Sequence, residues 1–220
     1  MKVAVSMLRS DKDEMTSSWI KERLPDLERA GVDRIHWDLM DGQYNPNRTI
    51  DQLTPDLMKE VMSHTKLDAD AHMMVNDPLS FFEGIRDCAS QFTFHLETCK
   101  DSEYLMKTIE KIKSSEKLVG ISIEPETPVA ELEQYLHLLD AVLIMTVRTR
   151  YSGQSFMNMQ QKIDRLKEIR EKRGLNFNIE VDGGINDKTI NQIRNADFVI
   201  SASYILNNNY RESVKKLKGV

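Results

Sequence analysis

The feature that most constrains the fold of this chain is an eightfold alternation. Short β-type runs recur along it, in order KVAVSML, DRIHWDL, LDADAHMMV, QFTFHLE, KLVGISI, AVLIMTV, NFNIEV and DFVISAS. Between them lie charged segments with apolar residues at helical spacing, among them SSWIKERLPDLERAG, DPLSFFEGIRDC, SEYLMKTIEKIKSS, QQKIDRLKEIREKRG and NDKTINQIRN. Strands alternating with amphipathic helices are the pattern of βα units and a parallel sheet. Gly31 and Gly174 stand where helices should stop, and Asp77-Pro78 and Thr127-Pro128 each offer an N-cap followed by a first-turn proline. Eight such units in 220 residues fit one compact (β/α)8 TIM barrel, typically about 250 residues long. No Pro/Gly/Ser-rich linker divides the chain, so residues 1–220 are expected to form one domain. A doubly wound sheet would carry a Gly-rich turn after its first strand, where this chain has Leu8-Arg9-Ser10-Asp11.

Charge narrows the class of partner. With 30 basic and 35 acidic residues the formal charge is −5, spread along the chain, which argues against nucleic acid or an anionic membrane because both call for a clustered basic surface. No apolar run approaches the roughly 18 residues of a spanning helix. Acid follows the short apolar N-terminal segment at once, unlike a signal peptide, and a cytosolic location is expected. Cys88 and Cys99 form no close zinc or redox pair and are read as reduced thiols.

In a parallel barrel the strand interiors are expected to be apolar, so ionisable residues at the C-terminal strand ends need an explanation. The second strand ends in His36-Trp37-Asp38, with His36 and Asp38 on one side by period-two geometry. The third ends at His72, the fourth at His95 and Glu97, and the seventh at Asp182 before Gly183-Gly184. Singly, each has an ordinary reading: a hydrogen-bonded structural histidine, or an aspartate capping a turn. Together, His36, Asp38, His72 and Asp182 at one barrel mouth suit a divalent cation, better zinc, iron, manganese or cobalt than calcium. His64 and His137 fall in polar helical segments and are read as solvated. Met40, Met74 and Met145 also fall at strand ends, by default as core filler.

At these residues the chain resembles the ribulose-phosphate 3-epimerase family along almost its whole length. The segment from His36 to Asn47, HWDLMDGQYNPN, is similar to the family's H-x-D-x-M-D-G-x-[FY]-x-P-N signature. His72-Met73-Met74-Val75 with Asp77-Pro78 resembles its H-L-M-x-x-x-P segment, and His95-Leu96-Glu97 its H-x-E. Glu124-Pro125-Glu126-Thr127-Pro128, Met145-Thr146-Val147, Gly153-Gln154-Ser155-Phe156 and Glu180-Val181-Asp182-Gly183-Gly184-Ile185 complete the series.

The resemblance implies one divalent metal ion held by His36, Asp38, His72 and Asp182, with Asp38 and Asp182 as the acid/base pair and Met40, Met74 and Met145 as a sulfur-lined wall. Inverting a carbon beside a ketone removes its proton from one face and delivers one to the other, which two acid/base groups do better than one. The substrate's phosphate is expected against Ser152, Gly153, Gln154, Gly183, Gly184, Ala202 and Ser203, because a barrel's anion cup uses backbone N–H groups of the late loops. The chain departs from the family where the sugar and phosphate are held. Ser6-Met7-Leu8-Arg9 replaces S-I-L-S, Arg148-Thr149-Arg150-Tyr151-Ser152-Gly153-Gln154 replaces N-P-G-F-G-G-Q, Ala202-Ser203 replaces Gly-Ser, and Glu124 replaces Asn. Arg9, Arg148 and Arg150 are thereby candidate substrate contacts, or else partners of nearby acids such as Glu124.

The implied activity is a metal-dependent 3-epimerase acting on ribulose 5-phosphate/xylulose 5-phosphate. An allulose 6-phosphate 3-epimerase, or one for another unusual ketose phosphate, is the alternative within the class; a non-catalytic sugar-phosphate-binding barrel is the alternative outside it. Such a binder would need none of the four metal-site residues. A homo-oligomer is implied by the family's habit.

Overall fold

The computed structural model describes residues 1–8, 15–149 and 155–219. Eight parallel strands close in sequence order into a barrel: β1 (Lys2–Ser6), β2 (Arg34–Met40), β3 (Asp68–Met74), β4 (Gln91–His95), β5 (Leu118–Ile123), β6 (Ala141–Met145), β7 (Asn178–Asp182) and β8 (Phe198–Ser201), with β8 pairing back onto β1. The (β/α)8 architecture expected from the alternation is the one observed. Every residue of β2 is buried, because a parallel strand is covered on both faces. Its outward residues, Ile35, Trp37 and Leu39, join Ala71, Met73, Phe92, Phe94 and Ile121 in the large core between strands and helices. A smaller apolar cluster, Ala4, Leu143, Met145, Phe198 and Ile200, packs separately from that core.

Eight helices accompany the strands among the described residues: α1 (Ser17–Lys21), α2 (Leu24–Ala30), α3 (Pro55–Met62), α4 (Pro78–Ile85), α5 (Ser102–Ser114), α6 (Gln160–Arg173), α7 (Ser203–Leu206) and α8 (Tyr210–Lys218). Their ends follow local chemistry. Asp77 caps α4 by accepting from Ser80 N at 3.1 Å with Pro78 in the first turn. Gly31 and Gly174 end α2 and α6 in the left-handed conformation, at φ 85° and 63°. His64 and His137 are exposed, and Cys88 and Cys99 are free thiols, as expected.

Four expectations are corrected. The 17–31 segment is two short helices rather than one, broken ahead of Pro25, which lies in the first turn of α2. Thr127-Pro128 opens no α-helix; it leads into 3-10 turns at Val129–Glu131 and Leu136–Leu138. Segment 186–195 holds only the 3-10 turn Ile190–Gln192, because Asn186 Oδ1 accepts from Lys188 N and Thr189 N and diverts the backbone into a turn. The strand interiors are not uniformly apolar, since Arg34, Asp70, Gln91 and Glu180 are all buried there. Among the described residues no helix is long and apolar enough to cross a membrane.

Strand register sets the level of the site. Ser6 lies opposite His36, His36 opposite Asp70, Asp38 opposite His72, and Met145 opposite Asp182. Parallel partners project to the same side, so these side chains meet within the barrel mouth.

Candidate active site

His36, Asp38, His72 and Asp182 come together as expected, with one potential ligand atom from each lying within 4.8 Å of all the others. His36 Nε2 is 3.4 Å from Asp38 Oδ1, and His72 Nδ1 is 3.5 Å from that oxygen and 3.9 Å from Asp182 Oδ2. Both of these buried imidazole nitrogens lack a hydrogen-bond partner. Two inward-facing imidazole nitrogens beside two carboxylates are the donor set of a divalent-cation site, so the residues present fit such an ion. Ser6 Oγ donates to Asp38 Oδ2 at 2.5 Å and holds that carboxylate in place.

The two aspartates differ electrostatically. Burial alone would raise the Asp38 pKa, but His36 and His72 outweigh it and hold Asp38 far below the usual carboxylate range. Burial and the neighbouring Asp38 charge push Asp182 up to about 7. His36 resists burial because Asp70 and Asp38 flank it, and its pKa stands well above the ordinary imidazole value. His72 is pushed down by burial and by the His36 charge.

Beneath the cluster lies a charged layer that the sequence reading did not single out. Asp70 Oδ2 accepts from His36 Nδ1 at 2.8 Å, which turns His36 Nε2 toward the cluster. Arg34 lies below, with Nε 3.0 Å from Asp70 Oδ1, Nη2 donating to Glu180 Oε1 at 2.7 Å and Nη1 donating to Gln91 Oε1 at 3.1 Å. Gln91 Nε2 donates to Glu180 Oε2 at 3.2 Å and closes the ring. Period two was the available signal: Arg34, Asp70 and Glu180 each stand two residues before His36, His72 and Asp182.

Loops complete the mouth. Asp41 Oδ1 accepts from Gln43 N and Tyr44 N, and Asp41 Oδ2 from Asn76 N, which ties the loop after β2 to the one after β3. Asn45 Nδ2 donates to Thr149 O at 2.6 Å and ties it to the loop after β6. His95 stacks on His72 and does not join the four-residue cluster; its Nε2 is 2.9 Å from His72 Nε2. Glu97 accepts from Glu124 N and Thr127 Oγ1, so it braces the loop after β5.

Above the cluster opens a cleft of about 600 Å³. Met40, Met74 and Met145 line it beside Asp38 and Asp182, and so do Gly183, Gly184, Ala202, Ser203 and Arg148. Gly183 adopts φ 116°, and a Cβ there would lie 2.7 Å from Val147 Cγ2, so no other residue fits without displacement. Arg148 reaches the cleft but pairs with Glu126 at 2.5 Å rather than with Glu124. Arg9, Arg150, Ser152, Gly153 and Gln154 lie outside the described residues.

The model of the ribulose-phosphate 3-epimerase family matches residues 2–206. The chain belongs to that family. Membership makes it an isomerase-class enzyme, an epimerase of carbohydrate metabolism. Among relatives of the family, the chain is 34% identical over 194 residues to the ribulose-phosphate 3-epimerase of Treponema pallidum (strain Nichols), covering 86% of each chain. It is 33% identical to that of Synechocystis sp., covering 96% of this chain and 90% of the relative. Solved structures beyond the family share the barrel alone. 3-Hexulose-6-phosphate synthase from Salmonella typhimurium aligns at TM-score 0.68 and 18% identity over 100% of this chain and 97% of that one. 3-Keto-L-gulonate-6-phosphate decarboxylase from Vibrio cholerae aligns at 0.70 and 9% over 99% and 95%.

Proposed function

We propose that this chain inverts C3 of a phosphorylated ketose of the ribulose 5-phosphate/xylulose 5-phosphate kind, with Asp38 and Asp182 carrying the proton. The observation that carries this reading is the four-residue cluster whose two aspartates line the cleft, with two buried imidazole nitrogens turned into the cluster unpartnered. His36, Asp38, His72 and Asp182 would hold one divalent cation, zinc, iron, manganese or cobalt. When bound, that ion supplies Lewis-acid stabilisation of the negative charge that develops as C3 loses its proton.

Asp38 enters from β2 and Asp182 from β7, so one carboxylate takes the proton from one face of C3 while the other returns a proton to the opposite face. Their different environments suit the division: His36 and His72 hold Asp38 ionised, while burial and the Asp38 charge make Asp182 the more readily protonated of the two. Met40, Met74 and Met145 present an apolar surface that keeps water from the reacting carbon. The backbone at Gly183-Gly184 and Ala202-Ser203, with Ser152, Gly153 and Gln154, would receive the phosphate.

A second reading within the class is favoured by the extent of the cleft. It continues past the glycines to Lys188, Asn207 and Asn208, and takes in Arg148. Those donors suit a longer ketose phosphate, such as allulose 6-phosphate. Assaying epimerisation across phosphorylated ketopentoses and ketohexoses, with zinc, manganese, iron or cobalt added, tests both. The pentulose phosphate should turn over under the first reading and a hexulose phosphate should be preferred under the second; no turnover on any member of the panel would leave the non-catalytic binder in their place.

A further inference from the structure

We propose that Glu124 is a positioning residue that sets the tautomer of His72 through Tyr44 and His95. The inference rests on His72 being a ligand of the cation assigned above. A histidine can offer Nδ1 to a cation only as a lone pair, so its proton must sit on Nε2.

The direction of the hydrogen bonds supplies that order, read inward from the loop after β5. Both Glu124 oxygens accept: Oε2 from Thr149 N at 3.1 Å and Oε1 from Tyr44 Oη at 3.0 Å. With its proton committed to Glu124, the Tyr44 oxygen is left to accept from His95 Nδ1, 3.0 Å away. Two carboxylate oxygens also face His95 Nδ1, Glu97 Oε2 at 3.4 Å and Glu124 Oε1 at 3.7 Å. His95 Nδ1 therefore carries the proton, and in the neutral ring Nε2 is an acceptor. His72 Nε2, 2.9 Å from it, must donate. His72 Nδ1 is thereby left as the buried lone pair turned toward Asp38 and Asp182. Asp70 orients His36 in one step, through Nδ1.

A glutamine at position 124 would reverse the chain. Thr149 N–H is a fixed donor and claims the amide oxygen, so the NH2 group falls against Tyr44. The phenol would then accept from the amide and donate to His95 Nδ1. His95 would carry its proton on Nε2, and His72 would be driven to the Nδ1–H form, with a proton where the cation needs a lone pair. Removing the phenol as well would abolish the reversed donor and leave His95 Nδ1 facing Glu97.

The test combines 15N NMR of the histidine rings in metal-free protein with cobalt(II) titration. In the unmodified protein His72 should be protonated at Nε2. Glu124→Gln should move it toward Nδ1–H and weaken cobalt binding about ten- to hundredfold, the usual effect of losing a ligand's supporting partner. Adding Tyr44→Phe to Glu124→Gln should restore the Nε2–H form and most of the affinity, a rescue that a role in loop packing would not give. Finding His72 as Nδ1–H in the unmodified protein would overturn the proposal without any variant. An unshifted tautomer in Glu124→Gln, or a shift that Tyr44→Phe leaves in place, would overturn it too. If the unmodified protein took up no cobalt, the cation reading would fail, and the tautomer measurement would still decide the relay.

Discussion

Arg34→Met in metal-free protein isolates the charged layer beneath the site. The substitution keeps an unbranched side chain but removes the guanidinium from Asp70 at 3.0 Å, Glu180 at 2.7 Å and Gln91 at 3.1 Å. Asp70 and Glu180 are fully buried, so neither stranded carboxylate can be hydrated in place. Removing one partner of a buried ion pair costs about 3–5 kcal/mol. Two acids share the loss here, but the cost stays in that range because Glu180, already raised by burial, escapes by protonation. The pH dependence follows. Burial opposes the Asp70 charge, yet Arg34 and His36 hold its pKa below the ordinary value, which stabilises the fold above about pH 4 and is lost as pH falls through the folded-state pKa. Without Arg34 both acids shift upward, so the native state keeps protons that the unfolded chain releases from about pH 4, and the variant's deficit grows as pH rises. Urea unfolding at pH 5 and pH 8 reads this as a midpoint shift at constant m, larger at pH 8, with Glu180→Gln added to Arg34→Met recovering part of it. A loss under about 1 kcal/mol that is flat with pH would show that the network does not carry the buried-pair cost assumed for it.

Asp38→Asn and Asp182→Asn should each keep the fold and lower turnover by on the order of 10²-fold or more. Near-normal rates in variants confirmed to hold metal would contradict the two-aspartate assignment. Gly183→Ala forces a side chain into φ 116° against Val147 and should cost about 1–3 kcal/mol by urea unfolding, with a raised KM for the phosphorylated substrate. Unchanged stability and KM would refute the close approach. Arg148→Ala should raise KM on the true substrate without changing metal content; an unchanged KM would confine Arg148 to its pair with Glu126.

Much of this was legible in the sequence because the barrel repeats a simple rule. Apolar runs at regular intervals marked all eight strands, and polar residues breaking those runs at His36, Asp38, His72 and Asp182 marked the site. The rule that strand interiors are apolar hid Arg34, Asp70, Gln91 and Glu180, whose polar groups are tolerable there because they meet one another across 36 to 146 residues of sequence. Nothing local announces such a meeting. The same holds for Tyr44 and Glu124, which are 80 residues apart and joined by one hydrogen bond at the mouth. Helical spacing in 186–195 misled because Asn186 offers its own side chain to the backbone, a competition that apolar periodicity does not register.

Hydrogen exchange at C3 of the substrate bears most directly on the central claim. Ketose phosphates incubated in D2O with metal-loaded protein should gain deuterium at C3 as the epimer forms. Exchange and epimerisation should cease together when a chelator strips the ion, and return with zinc, manganese, iron or cobalt. Epimerisation at an undiminished rate after the ion is removed, or without deuterium entering C3, would contradict a metal-assisted proton transfer between Asp38 and Asp182.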